Sequence, residues 1–162
     1  VSIGLQCKGE TVLGVVYAPY LNELYEACKG KGAMLNGRSI HVSGKNDTQE
    51  SVVSTGFPID KDRNPDNNLD NLARILPMVR GVRRQGSAAF DLCCVAAGIL
   101  DGYWEFNLHL WDVCAGILIV TEAGGTVRSF REDRNVPIVV GTPAIVEQLY
   151  PRLSDKPGKI CL

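Results

Sequence analysis

Short apolar stretches separated by turn residues fill the first quarter of the chain. Val1 to Cys7, Thr11 to Tyr17, Leu24 to Cys28 and Ala33 to Leu35 each have the length of a β-strand. This spacing is typical of consecutive antiparallel strands. The dipeptide Asn36-Gly37 strongly favours a tight hairpin turn. The amino-terminal quarter therefore predicts a β-meander.

Four later segments have the features of α-helices. In the first, apolar residues recur at three- and four-residue steps, which is the spacing of one helix face. The second and third are apolar on nearly all sides and are followed by glycine, as buried helices with a glycine cap are. The fourth begins with a threonine that can cap backbone amides and a proline that is tolerated at the first helical position. The helices are predicted over Asp66 to Leu76, Ser87 to Ala97, Trp111 to Ala123 and Thr142 to about Leu153.

Further strands are predicted between and after these helices. They lie at Val79 to Arg84, Asp101 to Leu108, Thr126 to Phe130 and Ile138 to Val140. Strands and helices mix without the strict alternation of βαβ units, so the pattern indicates an α+β fold or a layered α/β arrangement with a mixed sheet. The length of 162 residues is that of about one domain.

Composition and charge exclude several classes of partner. Seventeen Lys and Arg against eighteen Asp and Glu leave a formal net charge of −1, so no overall basic field attracts nucleic acid or an anionic membrane. Charged residues interrupt every apolar run before the roughly 18 residues that a membrane-spanning helix needs. We therefore predict no nucleic-acid partner and no membrane contact, and any bound anion must be held at a local site.

The cysteines favour a reducing, cytoplasmic location. They lack the Cys-x-x-Cys spacing of a zinc site. Half of them lie among apolar residues of the predicted helices, where a free thiol behaves as a small apolar side chain. The cysteines are Cys7, Cys28, Cys93, Cys94, Cys114 and Cys161.

One motif resembles a nucleotide site without its structural context. Gly32 to Ser39 has nearly the spacing of a phosphate-binding P-loop, with Arg38 in place of the lysine. A P-loop joins a strand to a helix, whereas this segment is predicted to be a strand and a hairpin turn. Nucleotide binding is therefore not indicated.

The start of the second predicted helix is a candidate binding segment. Gly86, Ser87 and Ala88 are small residues that follow a predicted strand. Amides in the first turn of a helix have no partner within the helix and can donate to hydroxyl or phosphate oxygens. The alternative is ordinary capping of the helix by Ser87. The local sequence leaves both interpretations open.

Two carboxylates are candidates for a second part of the same site. Glu105 lies near the end of a predicted strand and Asp112 lies at the start of the third helix. Asp112 can either cap that helix or act as an oxygen ligand for Mg²⁺. Glu105 can equally be a surface partner of a basic residue. One carboxylate alone does not make a magnesium site.

Five blocks of the chain resemble the inositol monophosphatase family of Mg²⁺-dependent phosphatases. The block in which Trp111-Asp112 is followed by an apolar helix and by Glu122-Ala-Gly-Gly125 resembles the family's second signature, which is specific. The other blocks are Gly14 to Tyr17, Lys29 to Gly37, Arg84 to Gly98 and Asp101 to Glu105.

The resemblance implies a layered αβαβα sandwich and hydrolysis of the phosphate monoester of a polyol or sugar, with myo-inositol monophosphate as the leading substrate. Mg²⁺ would activate water and neutralise oxygen charge. Asp112 resembles the metal-ligating aspartate, which also contacts substrate, and Glu105 resembles the carboxylate that binds a substrate hydroxyl. Gly86, Ser87 and Ala88 resemble the helix start that contacts substrate. Lithium inhibition and a cytoplasmic homodimer are also implied.

The chain departs from the family pattern at its first signature. That signature, Asp-Pro-x-Asp-Gly-Thr, does not occur in the sequence, although in the family it supplies further metal ligands and water-activating groups. We therefore expect residues 1–162 to be a single partial domain, the carboxy-terminal part of a phosphatase truncated at its amino terminus. No catalytic residue is assigned within the chain, and the isolated chain is expected to be inactive. The alternative is a non-catalytic interaction or polyol-binding module that kept the fold.

Overall fold

Two β-sheets and a set of helices form the protein. The computed structural model describes residues 1–132 and 135–153, and within them are two five-stranded sheets and four α-helices. The strands are β1 (Ser2–Cys7), β2 (Glu10–Ala18), β3 (Glu23–Cys28), β4 (Ala33–Leu35), β5 (Arg38–Ile40), β6 (Val52–Thr55), β7 (Gly81–Arg83), β8 (Gly102–Glu105), β9 (Thr126–Ser129) and β10 (Ile138–Gly141). The helices are α1 (Leu69–Ile75), α2 (Ala88–Ala96), α3 (Leu110–Glu122) and α4 (Pro143–Leu149).

The elements stack in the layers of the expected sandwich. The first sheet, β1 to β5, packs on α2 and α3, and these two helices pack in turn on the second sheet. On the far side of the second sheet, α1 and α4 contribute to a separate apolar cluster. The described residues thus supply four successive layers, β–α–β–α, of the αβαβα arrangement. The layered fold predicted from the sequence is confirmed.

The first sheet is the meander that the sequence predicts. Its strands follow one another in chain order, and all of their pairings are antiparallel. Asn36 and Gly37 have φ values of 50° and 74°, which is the left-handed backbone that a two-residue hairpin turn requires. Beyond that turn lies β5, for which the sequence pattern made no separate prediction.

Close contact between the first sheet and α3 depends on glycine. A Cβ atom built on Gly14 would lie 2.7 Å from the carbonyl oxygen of Ala115, so the strand and the helix approach each other backbone to backbone. At the carboxy-terminal end of α3, the Glu122 carboxylate accepts hydrogen bonds from the amides of Gly30 and Gly32 at 2.7 and 2.8 Å. These contacts fix α3 against the sheet along its length.

The second sheet is mixed, with strand order β7-β6-β8-β10-β9. Its first three strands are parallel, and the pairings of β10 are antiparallel. Adjacent residues of β8 pack on opposite faces of the sheet. Tyr103 belongs to the apolar cluster around α2 and α3, whereas Trp104 belongs to the cluster around α1 and α4. Both side chains are fully buried. This sheet therefore separates two cores, and β8 carries Glu105 out of them.

Several predicted boundaries differ from the structure. The first helix begins at Leu69 rather than Asp66, because its N-cap residue, Asn68, has a left-handed φ of 72° that interrupts a right-handed helix. The strand predicted from Asp101 to Leu108 ends at Glu105. No strand was predicted at Val52–Thr55, which is an interior strand of the second sheet, since four residues are too few for a hydrophobic period to stand out.

The helix caps agree better with the sequence. Gly98 and Gly124, which follow α2 and α3, have φ values of 69° and 86°, so both helices end at a left-handed glycine as predicted. Thr142 accepts a hydrogen bond from the Ile145 amide at 3.3 Å and caps α4.

Neither cysteine pairing nor a membrane helix is seen in the described parts of the chain. Cys93 and Cys94 are buried free thiols, Cys114 is partly buried, and Cys7 and Cys28 are exposed. Cys161 lies outside the described residues. Among the described residues, no helix has the length and apolar character needed to cross a membrane.

Candidate active site

A cavity of about 690 Å³ lies between the two sheets at the amino-terminal ends of α2 and α3. Its lining includes all five residues that the sequence singled out, namely Gly86, Ser87, Ala88, Glu105 and Asp112. They come from three separate elements: the start of α2, the end of β8 and the first turn of α3. The tertiary structure therefore brings together residues that are separated along the chain.

The start of α2 presents uncapped amides to this cavity. Ser87 is the N-cap residue of α2, but its side chain makes no capping hydrogen bond. The first amide with a partner in the helix is that of Asp91, which donates to the Ser87 carbonyl at 2.8 Å. Gly86 has a φ of 89°, a conformation that residues with a side chain rarely adopt. The simple capping interpretation of Ser87 is therefore not supported, and the first-turn amides from Ala88 onward suit an oxygen-rich ligand.

The Glu105 carboxylate is held from two sides. The Tyr103 hydroxyl donates a hydrogen bond to Glu105 Oε2, and the backbone of Gly56 lies so close to the carboxylate that a Cβ atom at that position would overlap it. Burial raises the pKa of Glu105, and the nearby Asp91 and Asp112 carboxylates add to this effect. The Tyr103 hydrogen bond and the Arg84 charge act in the opposite direction. Glu105 is thus a fixed acceptor and not a surface ion-pair partner.

Asp112 caps the start of α3 and also lines the cavity. Its Oδ2 atom accepts a hydrogen bond from the His109 amide at 2.8 Å and so caps the start of α3. The same side chain contributes to the cavity wall with Glu105 and Gly86. Capping engages one oxygen with one amide, which leaves lone pairs of the carboxylate for a ligand. Capping and ligation are therefore compatible.

The residues described here do not complete a magnesium site. Within residues 1–132 and 135–153, no group of three or more His, Cys, Asp and Glu side chains is arranged to hold a metal ion. Mg²⁺ prefers octahedral oxygen coordination, usually with one or two carboxylates together with water and substrate oxygens. Asp112 fits one position of such a site, and the donor set of the described residues is otherwise insufficient.

Asp91 is a cavity residue to which the sequence analysis assigned no role. It lines the cavity from α2 and is only 2% exposed. Burial raises the pKa of Asp91 to about 6, against the lowering effects of Ser54, Gln85, Arg84 and the Ser87 backbone. Among the described residues, its Oδ1 atom has no hydrogen-bond partner. The sequence signal that could have identified Asp91 is a single acidic residue in an otherwise apolar helix.

The buried charge of Asp91 is expected to cost stability at neutral pH. The pKa of the Asp91 carboxyl group is raised in the folded protein. The stability that this group contributes is therefore fully present below the unfolded pKa of 3.8 and is lost as the pH rises through about 6. That difference corresponds to up to about 3 kcal/mol. Asp91→Asn should therefore raise the free energy of unfolding at pH 7.5, and the gain should vanish near pH 4. Urea unfolding at both pH values measures this, with the exposed Asp62→Asn as control; an equal gain at both would contradict it.

The sequence model of the inositol monophosphatase family matches residues 1–156. A protein named Nus factor SuhB from Pasteurella multocida is 40% identical over 164 residues, which cover 96% of this chain and 61% of that protein. A protein named inositol-1-monophosphatase from Synechocystis is 46% identical over 130 residues, or 80% of this chain and 45% of the relative.

Solved structures give the same relationship. An inositol monophosphatase from Anabaena superposes with a TM-score of 0.87 at 38% identity, covering 93% of this chain and 62% of that one. The extragenic suppressor protein suhB from Bartonella henselae superposes with a TM-score of 0.85 at 40% identity, covering 93% and 60%. The chain spans about 60% of the length of most of these relatives.

Proposed function

We propose that this chain, which belongs to the inositol monophosphatase family, forms the substrate-contacting part of a Mg²⁺-dependent phosphatase that hydrolyses the phosphate monoester of a polyol or sugar. The observation that carries the proposal is the convergence of the α2 start, Glu105 and Asp112 on one cavity. Each of these features alone has an ordinary structural explanation. Their meeting at one concave surface favours a common ligand.

Each feature suits a different part of such a substrate. The helix start from Gly86 to Ala88 would contact substrate oxygens, with the Ala88 amide as a donor that is aided by the positive end of the helix dipole. The Glu105 carboxylate would accept a hydrogen bond from a substrate hydroxyl. Asp112 would supply one carboxylate ligand to Mg²⁺. When bound, Mg²⁺ supplies activation of water and neutralisation of phosphate charge, and the residues of this chain bind and orient the alcohol.

The leading substrate is a myo-inositol monophosphate. A cavity of about 690 Å³ has the size of a small-molecule site, and Glu105 provides it with a hydrogen-bond acceptor for a ring hydroxyl. Other sugar phosphates, histidinol phosphate and nucleotide-derived bisphosphates share the phosphate but differ in the alcohol. The Glu105 contact is therefore the feature that would select a polyol.

Binding of myo-inositol 1-phosphate to this chain tests the proposal. NMR titration in the presence of Mg²⁺ should shift the amides of Gly86 to Ala88 and the Glu105 carboxyl resonance. Glu105→Gln should raise the dissociation constant about tenfold, because a hydrogen bond to an ionised acceptor is replaced by a weaker neutral one. Glu26→Gln on the first sheet is the matched control, since Glu26 lies outside the cavity lining. Equal affinities of the two variants would contradict the assigned role of Glu105.

Catalysis is proposed for the whole protein and not for these residues alone. We expect residues 1–162 to release little or no phosphate from inositol 1-phosphate with Mg²⁺, because Asp112 alone does not hold the metal ions. Turnover by this chain that is abolished in Asp112→Asn would contradict this expectation. We also propose that the whole protein is lithium-sensitive and cytoplasmic. The exposure of Leu110 at 51% and Trp111 at 69% beside the cavity supports a homodimer that covers these side chains.

A non-catalytic function is the alternative, and the relatives named Nus factor give it support. An interaction or polyol-binding module would keep the cavity without needing a metal ion. Titration calorimetry of the full-length protein with inositol 1-phosphate, with and without EDTA, separates the two functions. The phosphatase proposal expects tighter binding with Mg²⁺, because Asp112 and substrate oxygens share the ion. Binding that is unaffected by EDTA would favour the module.

A further inference from the structure

We propose that Asn68 is a positioning residue that fixes the Glu105 carboxylate in the substrate cavity, an inference that rests on the proposed function. Asn68 lies at the start of α1, is 1% exposed and is absent from the cavity lining. It would therefore act through its neighbours and not by touching substrate. No pattern in the sequence indicates a role for it.

The Asn68 side chain uses its full hydrogen-bonding capacity. Its Nδ2 group donates to Thr55 Oγ1 at 2.9 Å and to the Gly56 carbonyl at 2.7 Å. Its Oδ1 atom accepts from Trp104 Nε1 at 3.0 Å and from Asn71 Nδ2 at 3.0 Å. A primary amide has two donor hydrogens and one oxygen with two lone pairs, so all four positions are filled. An aspartate would keep the acceptor bonds and lose both donors.

The residues that Asn68 contacts are neighbours of Glu105. Trp104 immediately precedes Glu105 on β8, and its carbonyl accepts a hydrogen bond from Thr55 Oγ1 at 2.6 Å. The backbone of Gly56 lies directly against the Glu105 carboxylate. Asn68 therefore holds the Gly56 carbonyl directly, and it holds β8 through the Trp104 indole and through Thr55, which bonds the Trp104 carbonyl. Movement of Gly56 or of β8 would move the carboxylate.

The backbone conformation also selects asparagine at this position. Asn68 has a φ of 72°, a left-handed conformation that asparagine and glycine adopt more readily than other residues. Glycine would accept the same backbone without strain but would lack all four hydrogen bonds. Asn68→Gly therefore removes the amide contacts and is compatible with the backbone conformation of the turn.

Two readouts on the 162-residue chain test the positioning role. The first is the dissociation constant for myo-inositol 1-phosphate with Mg²⁺, followed by NMR titration. The second is the pKa of Glu105, followed by its carboxyl ¹³C resonance. Burial is the largest cause that raises this pKa, the Asp91 and Asp112 carboxylates add to it, and Tyr103 and Arg84 oppose it. Release of Gly56 and β8 would admit water to the carboxylate and lower its pKa toward the ordinary value.

Asn68→Gly is expected to raise the dissociation constant about tenfold and to lower the pKa of Glu105. Thr55→Val removes one hydroxyl of the same network at nearly constant volume, so a smaller effect in the same direction is expected, and this variant decides the test if Asn68→Gly does not fold. Val120→Ala is the control for lost stability, since Val120 is fully buried in α3 and lies outside the cavity lining. Neither readout should change in it.

The outcomes separate this inference from the proposed function. If wild-type protein binds the ligand and Glu105→Gln weakens it, yet folded Asn68→Gly and Thr55→Val keep the wild-type affinity and Glu105 pKa, the positioning role is wrong and the function stands. If wild-type protein does not bind the ligand, the proposed function fails. The pKa readout then decides the positioning role by itself, because it requires no ligand.

Discussion

Asp112→Asn is expected to lower the Mg²⁺-dependent phosphate release of the full-length protein more than 100-fold while its thermal stability stays nearly constant. A metal ligand contributes several kcal/mol to charge stabilisation in the transition state, and each tenfold loss in rate corresponds to about 1.4 kcal/mol. The cap on α3 survives, because the amide oxygen of asparagine can accept the hydrogen bond that Asp112 Oδ2 now accepts from His109. The substitution therefore removes the charge and keeps the local structure.

Inorganic phosphate release from inositol 1-phosphate and thermal melting measure the two halves of this prediction. Glu147→Gln is the matched control, since it also removes one negative charge, from a side chain that is 70% exposed on α4. That control should retain wild-type activity. Activity of Asp112→Asn within tenfold of wild type would exclude the ligand role. A parallel loss of activity and melting temperature would instead make Asp112 a structural cap.

Gly14→Ala is expected to destabilise the chain by about 3 kcal/mol, toward the upper end of the effect of overpacking a close contact. Its Cβ atom would lie 2.7 Å from the carbonyl oxygen and 3.0 Å from the Cα atom of Ala115. Both are backbone atoms of α3, which cannot rotate away as a side chain can. The strand and the helix would have to separate.

Urea unfolding measures this loss, with Gly44→Ala as the control. A Cβ atom at Gly44 would meet nothing within 4 Å, and its φ lies outside the left-handed range, so that variant should unfold within about 0.5 kcal/mol of wild type. A similarly small change in Gly14→Ala would show that the first sheet and α3 can separate at little cost. Since α3 carries Asp112 in its first turn, the same contact also fixes the position of that carboxylate relative to the first sheet.

The local elements that the sequence predicted correctly have causes that act within a few residues. The Asn36-Gly37 turn, the glycines after α2 and α3, and the Thr142 cap of α4 all satisfy backbone requirements of their immediate neighbours. Strand β6 was missed because it is a short, central parallel strand. Its position is determined by partners far away in the chain and not by its own pattern.

The candidate site was predicted in part. The sequence singled out Glu105, Asp112 and the small residues from Gly86 to Ala88. In the structure these residues line one cavity. Tyr103, Gly56 and Asn68 were not identified, because a tyrosine, a glycine and an asparagine have many ordinary roles. Their importance arises from contacts that join β6, β8 and α1.

The sequence by itself determined the family, the order of most elements and the chemical identity of the candidate site residues. These follow from short-range spacing, capping and motif. The tertiary structure alone decided that Asp112 both caps α3 and lines one cavity with Glu105. It also decided that Asp91 is buried without a partner for Oδ1 among the described residues, and that Asn68 ties two strand ends together. Such properties depend on burial and on contacts between distant segments, which exist only once the two sheets have closed on the helices between them.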